Sequence, residues 1–241
     1  MIKKILAVSI SLALSATVSI VHAKDDVNAG KQQAAACAGC HGADGNSAVS
    51  TFPKLAGQHA SYLVKELQAL KAGIRDAPMM APLAMGLSDD AMSDLAAFYA
   101  SQTISKNPMP KLPIDDDDDD DEDEDEAAVA AKEKAQQEKL ENLLAKGSDL
   151  YRNGDLEDEV SACIACHGPV GEGNQPAAYP ILKGQHADYL IKTLTDFKNG
   201  NRIKNTEDMM NMIAKKMSAD EIQAVSYYLS VMDKQTKSTE K

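Results

Sequence analysis

Residues 53–75 read PKLAGQHASYLVKELQALKAGIR, and residues 180–202 read PILKGQHADYLIKTLTDFKNGNR. The two stretches align without a gap and are identical at 13 of 23 positions. Upstream of each lies a Cys-x-x-Cys-His-Gly, at residues 37–42 and 163–168, and downstream of each lies a methionine cluster. Each copy then reaches a serine that opens an apolar-periodic run, Ser88-Asp89-Asp90 in one and Ser218-Ala219-Asp220 in the other. The same parts in the same order mean one domain written twice. Leu63, Leu67 and Leu70, like Leu190, Leu194 and Phe197, recur at three- and four-residue steps. That spacing predicts helices over 62–72 and 189–199, stopped at Gly73 and Gly200. Ser88 and Ser218 predict N-caps for helices running to about Ser101 and Leu229. No stretch alternates with period two, so the fold class is all-α. Units of roughly 80–100 residues bury too little apolar surface to be robust alone, and a bound apolar cofactor would complete the core.

Outside the repeat, the chain divides by composition. Lys3 and Lys4 precede an uncharged apolar run from Ile5 to Val21, and Val21-His22-Ala23 offers small residues to a signal peptidase. Residues 1–23 therefore read as a cleaved secretory signal, with the mature chain starting near Lys24 outside the cytoplasm, most simply in a periplasm. Residues 24–104 form the first domain, 105–135 a proline-containing and acidic linker, 136–236 the second domain, and 237–241 a polar tail. The formal charge of −12 becomes about −14 without the signal, and twelve carboxylates lie in one block, Asp115 to Glu126. The folded parts thus carry only about −2, and the block reads as a solvated, self-repelling spacer. Ala127 to Ala145 follows as an Ala/Glu/Lys/Gln-rich helix.

All four cysteines fall in the two Cys-x-x-Cys-His motifs. Positions i, i+3 and i+4 share one helical face, so two thiols can add across the vinyl groups of one haem while the next residue sets an imidazole against the iron. Zinc would need four ligands in tetrahedral array, which a His adjacent to its Cys serves badly. A thioredoxin-like site would need a βαβ context, and a simple disulfide would leave the paired histidines unexplained. The reading is two covalently attached haem c groups, on Cys37 and Cys40 with His41, and on Cys163 and Cys166 with His167.

The sixth iron ligand is less constrained. Laying Ser88 on Ser218 superposes only two methionine pairs, Met79 with Met209 and Met80 with Met210, and position alone does not choose between them. Met85, Met212 and Met217 lack counterparts and read as packing residues. His59 and His186 are equivalent by the repeat; they could complete a bis-histidine site, but a structural or propionate-contacting role fits their place before a long helix better. Pro53 and Pro180 end the loop after each motif, where a carbonyl can accept from the ligating imidazole.

In combination, two units of CxxCHG, Pro-x-Leu-x-Gly-Gln-His-x-x-Tyr-Leu, a methionine and a serine-capped helix resemble the dihaem cytochrome c4 family over nearly all of the chain after the signal. The resemblance implies two tandem class I cytochrome c domains related by a pseudo-twofold axis, joined here by the acidic linker. It places the axial methionine eight residues before the capping serine, which selects Met80 and Met210. It also implies close crossings of first and last helices, Gly30 against Phe98 and Gly147 against Tyr228, and pairing of Arg75 and Arg202 with haem propionates. The implied role is electron transfer, not enzyme turnover, between redox partner proteins such as a membrane oxidase, a cytochrome complex or a periplasmic reductase. Association with the membrane surface is a further expectation, and nucleic acid is not an expected partner. The rival classes are a cytochrome subunit of a dehydrogenase, such as a flavocytochrome, and a dihaem peroxidase. Nothing in the chain reads as a nucleotide-binding Gly-x-Gly-x-x-Gly. Two departures from the family stand out: the connection is longer, which sets close pairing of the units in question, and about nine extra residues separate Gly147 from Cys163.

Overall fold

Ten α-helices account for the regular structure of the computed structural model, which describes residues 25–112, 126–203 and 208–235. Among these residues there is no strand, only isolated bridges. The first unit runs α1 (Val27–Gln33), a 3₁₀ turn (Ala34–Ala36), α2 (Ala38–His41), α3 (Ala60–Lys71), α4 (Ala81–Met85) and α5 (Asp89–Ala100). The second runs α6 (Glu126–Asn153), α7 (Ile164–His167), α8 (Ala187–Lys198), α9 (Met209–Ala214) and α10 (Ala219–Gln235). The expected signal segment, residues 1–23, and nearly all of the acidic block lie outside the described residues.

Local chemistry sets the helix ends. Asp26 caps α1 by accepting from the N–H groups of Asn28 and Ala29 at 2.8 and 3.1 Å. Ser88 caps α5 by accepting from Ala91 N–H at 3.1 Å. Ser218 and Glu221 form a reciprocal capping box at the start of α10: Ser218 Oγ accepts from Glu221 N–H, and the Glu221 carboxylate accepts from Ser218 N–H. Helix α10 outruns its expected end near Leu229 because Ser230, Val231 and Met232 are all buried.

Each unit is closed by its first and last helices, and a glycine sits at each crossing. A Cβ on Gly30 would stand 2.0 Å from the Asp94 carbonyl oxygen and 2.9 Å from Phe98 Cβ. One on Gly147 would stand 2.1 Å from the Ala224 carbonyl oxygen and 2.9 Å from Tyr228 Cβ. Only a residue without a side chain lets α1 meet α5, and α6 meet α10, at this distance. Around these crossings lie two apolar cores. One gathers Leu63, Leu95, Phe98 and Tyr99; the other gathers Leu144, Tyr151, Leu190, Val225 and Tyr228.

The connection departs from a free spacer at both of its ends. Asn107 is buried and its amide donates to the carbonyls of Gly184, Gln185 and Ser230 at 2.9–3.0 Å. Leu112 packs on the second core. Residues 105–112 are therefore a strap laid on the second unit, because a polar side chain with three backbone acceptors outweighs the solubility of the prolines around it. At the other end, the expected helix from Ala127 is the first part of α6, which continues unbroken to Asn153. Residues 127–139 are exposed throughout, and burial begins at Leu140. The extra residues before Cys163 lengthen α6 past Gly147 and then form a turn closed by paired Asp155 and Val160 backbone bonds of 2.9 and 2.7 Å.

The long connection does not keep the units apart. Several of their contacts come in reciprocal pairs, as a twofold relation requires. Gln58 and Gln185 each reach into the opposite unit, as do His59 and His186. Asp76 N–H donates to the Arg202 carbonyl at 2.9 Å, and Arg75 bridges to Ile203.

Candidate haem sites

In each unit the Cys-x-x-Cys-His motif forms one short helical turn. His41 N–H donates to the Cys37 carbonyl at 3.0 Å, and His167 N–H to the Cys163 carbonyl at 2.9 Å. The turn brings both thiols and the imidazole to one face. Gly42 and Gly168 then leave it at φ of 81° and 77°, a backbone region that a side chain resists. All four thiols are free, so no disulfide joins either pair. Burial pushes the Cys163 thiol up to about 11 and raises Cys37 as well, which keeps both protonated.

Both imidazoles are buried and held in the same way. His41 Nδ1–H donates to the Pro53 carbonyl at 2.9 Å, and His167 Nδ1–H to the Pro180 carbonyl at 3.1 Å. Each ring also lies against the aromatic residue just before that proline, Phe52 or Tyr179, with centroids 6.4 and 6.2 Å apart. Burial lowers the pKa of both rings, partly opposed by the carbonyl bonds, so they are neutral at physiological pH. With Nδ1 carrying the proton, Nε2 presents a lone pair.

Exposure separates the methionine pairs. Met79 and Met209 are 70% and 47% exposed, whereas Met80 and Met210 are half-buried at the start of α4 and in the first turn of α9. Met217 is a core residue, as expected, but Met85 and Met212 are surface residues, not packing ones. His59 and His186 are committed elsewhere. His59 Nε2–H donates to the Glu172 carbonyl at 2.8 Å and His186 Nε2–H to the Ser47 carbonyl at 2.9 Å, each across the interface.

Arg75 and Arg202 meet at one carboxylate. Arg75 donates to Glu66 at 2.5 Å and Arg202 at 3.1 Å, with Arg202 also donating to Tyr62 Oη at 3.2 Å. Burial works against the Arg202 charge, and Tyr189, Tyr62 and Glu66 more than offset it, so the guanidinium stays protonated. Two cations on one anion leave a surplus positive charge, and the Nε–H of each arginine is buried without a partner. A further anionic group is what this cluster lacks. Haem fits the residues present: free thiol pairs, imidazoles with Nε2 open, half-buried thioethers, and donors for carboxylates.

The sequence left the roles of four participants unread. Glu66 has Thr193 as its repeat counterpart, so nothing in the duplication marked it. Lys54, opposite Ile181, is likewise unique to one copy. Gln58 and Gln185 were marked by their identity in both copies, but the repeat does not say that each serves the other unit.

Fold and sites together define a tandem c-type cytochrome. The cytochrome c family model matches residues 27–103 and 144–233. Cytochrome c4 of Azotobacter vinelandii is 40% identical over 232 residues, covering 92% of this chain and 96% of the relative. The crystal structure of reduced recombinant cytochrome c4 from Pseudomonas stutzeri superposes with a TM-score of 0.70 at 35% identity, covering 86% of this chain and 99% of that one. A protein of Stutzerimonas stutzeri named thiosulfate dehydrogenase electron acceptor is 38% identical over 205 residues, 84% of this chain and 82% of its own length. The chain belongs to the cytochrome c4 family. It is a dihaem electron-transfer cytochrome with two covalently attached haem c groups.

Proposed function

We propose that the chain is a periplasmic carrier, exported by cleavage after Ala23, that passes single electrons from respiratory-chain components toward a terminal oxidase or a periplasmic reductase. In this reading the thioether bonds fall on Cys37 and Cys40 in one domain and on Cys163 and Cys166 in the other. His41 and Met80 hold one iron, and His167 and Met210 the other. When bound, each haem supplies a reversible ferric/ferrous couple. The protein's own part is to fix that couple. Each neutral imidazole is oriented by a proline carbonyl, each thioether favours the reduced state, and Arg75 and Arg202 hold the propionates.

The observation that carries this reading is the repetition of one arrangement: a buried imidazole with Nδ1 tied to a carbonyl and a half-buried methionine following it, twice. Among the described residues no helix is long and apolar enough to cross a membrane. A redox titration followed by absorption spectra tests the reading. Two haems per chain, each with a methionine-to-iron charge-transfer band when ferric, are expected. A high-spin haem that binds cyanide readily would point to a peroxidase instead.

A second reading is favoured by the relative named as a thiosulfate dehydrogenase electron acceptor. In it the donor is a thiosulfate-oxidising enzyme, and the electrons leave by the same two sites. Stopped-flow reduction of the ferric protein by such an enzyme, compared with oxidation of the ferrous protein by a terminal oxidase, ranks the two partners.

A further inference from the structure

The structure assigns to Gln58 and Gln185 a crossed role: each tunes the axial imidazole of the opposite unit. The inference rests on the reading of His41 and His167 as iron ligands. The Pro53 carbonyl that accepts from His41 belongs to the same peptide plane as the Lys54 N–H. That N–H donates to Gln185 Oε1 at 2.8 Å, and Gln185 Nε2 donates back to the Lys54 carbonyl at 2.9 Å. In the other unit the Pro180 carbonyl accepts from His167, and the Ile181 N–H of that same peptide donates to Gln58 Oε1 at 2.8 Å. Gln58 Nε2 returns a bond to the Ile181 carbonyl at 3.0 Å. Both glutamines are buried, at 7% and 5% exposure. Because each amide faces one residue's N–H and C=O, its orientation is fixed by its partners.

The physical consequence follows from amide resonance. A peptide whose N–H donates a hydrogen bond places more negative charge on its carbonyl oxygen, and in a buried setting such chains reinforce one another. A stronger acceptor draws harder on the imidazole Nδ1–H and makes Nε2 more basic. A more basic axial nitrogen favours the ferric state and lowers the reduction potential. Gln58, carried by the first unit, therefore acts on the second couple through Ile181, Pro180 and His167. Gln185 acts on the first through Lys54, Pro53 and His41. Each acts through a backbone peptide of the opposite unit, so both are positioning residues.

The test uses the full-length ferrous protein with both haems bound. Two Nδ1–H resonances from iron-bound histidines must be present in the unsubstituted protein; their absence there would refute the ligand reading itself. In Gln58→Met, which keeps the side chain's length and removes both bonds, the His167 Nδ1–H resonance should move upfield and the second couple's potential should rise. The His41 resonance and the first couple should stay in place. Gln185→Met should give the mirror image. Gln58→Glu keeps an acceptor for the Ile181 N–H and should move the His167 signals the opposite way, which gives a reading if the methionine variant fails to load haem. His59→Leu cuts a neighbouring interface bond without touching the peptide. If it reproduces the Gln58→Met shifts, or if Gln58→Met perturbs its own unit's histidine or neither, the crossed role is wrong.

Discussion

Lys54 and Ile181 hold the same place in the two copies, yet one is an ammonium and the other a hydrocarbon. Lys54 is 3% exposed, and Nζ donates to Asn107 Oδ1 at 2.6 Å and to the carbonyls of Ser105 and Gly184 at 2.8 and 3.3 Å. None of these acceptors is a carboxylate, and burial lowers its pKa from 10.5 to about 8. The unfolded chain therefore keeps a proton on this lysine that the folded chain releases between about pH 8 and 10.5. Stability contributed at this position rises with pH across that window. Thermal midpoints of the native protein should gain on those of Lys54→Met between these limits; a constant difference would show that the charge is not felt. The methionines give a second prediction at this scale. Met80→Ala should lower the first couple's potential and open that site to exogenous ligands, and Met210→Ala should do the same to the second. Unchanged potentials would return the assignment to Met79 and Met209. The Cys and His positions were legible because their spacing is itself the chemistry. Glu66 was not, because its meaning lies in two arginines, one of them on the other unit.

Helices were legible where their signals are local. The spans predicted from Leu63, Leu67 and Leu70, and from Leu190, Leu194 and Phe197, correspond to α3 and α8 within two residues, and both serine caps are in place. The end of α10 was not legible, since Ser230 is polar in sequence but buried under the Asn107 strap. The same strap is why residues 105–112 could not be read as ordered: prolines advertise a spacer, and only the folded second unit supplies the three carbonyls. The helix crossings carry their own prediction. Gly30→Ala and Gly147→Ala each drive a methyl group into backbone, and each should cost about 1–3 kcal/mol or more by chemical denaturation of the haem-loaded protein. A loss below a few tenths of a kcal/mol would mean that the helices can part without harm. The larger part of the penalty should appear in whichever unit carries the change, because the two cores are separate clusters.

At the scale of the whole molecule, the halves are joined by their interface and by the strap of residues 105–112 laid on the second unit. Helix α6 projects its exposed first part for about 20 Å at 1.5 Å per residue before it meets the second core. A single proteolytic cut inside the Asp115–Glu126 block should therefore leave both halves eluting together under native conditions, and separation on cutting would show that the tether matters. The block has its own expected effect. Its removal should slow association with a basic partner at low ionic strength and leave it unchanged at high salt; equal rates in both conditions would reduce it to a spacer. Finally, the exchange of glutamines and histidines across the pseudo-twofold axis bears on how such a doubled gene can change. A duplicated domain ordinarily offers a spare, one copy free to drift while the other keeps the task. Here each copy's Gln-His pair grips the other copy's backbone, so a change in one half's motif is felt in its twin, and the two halves must vary together.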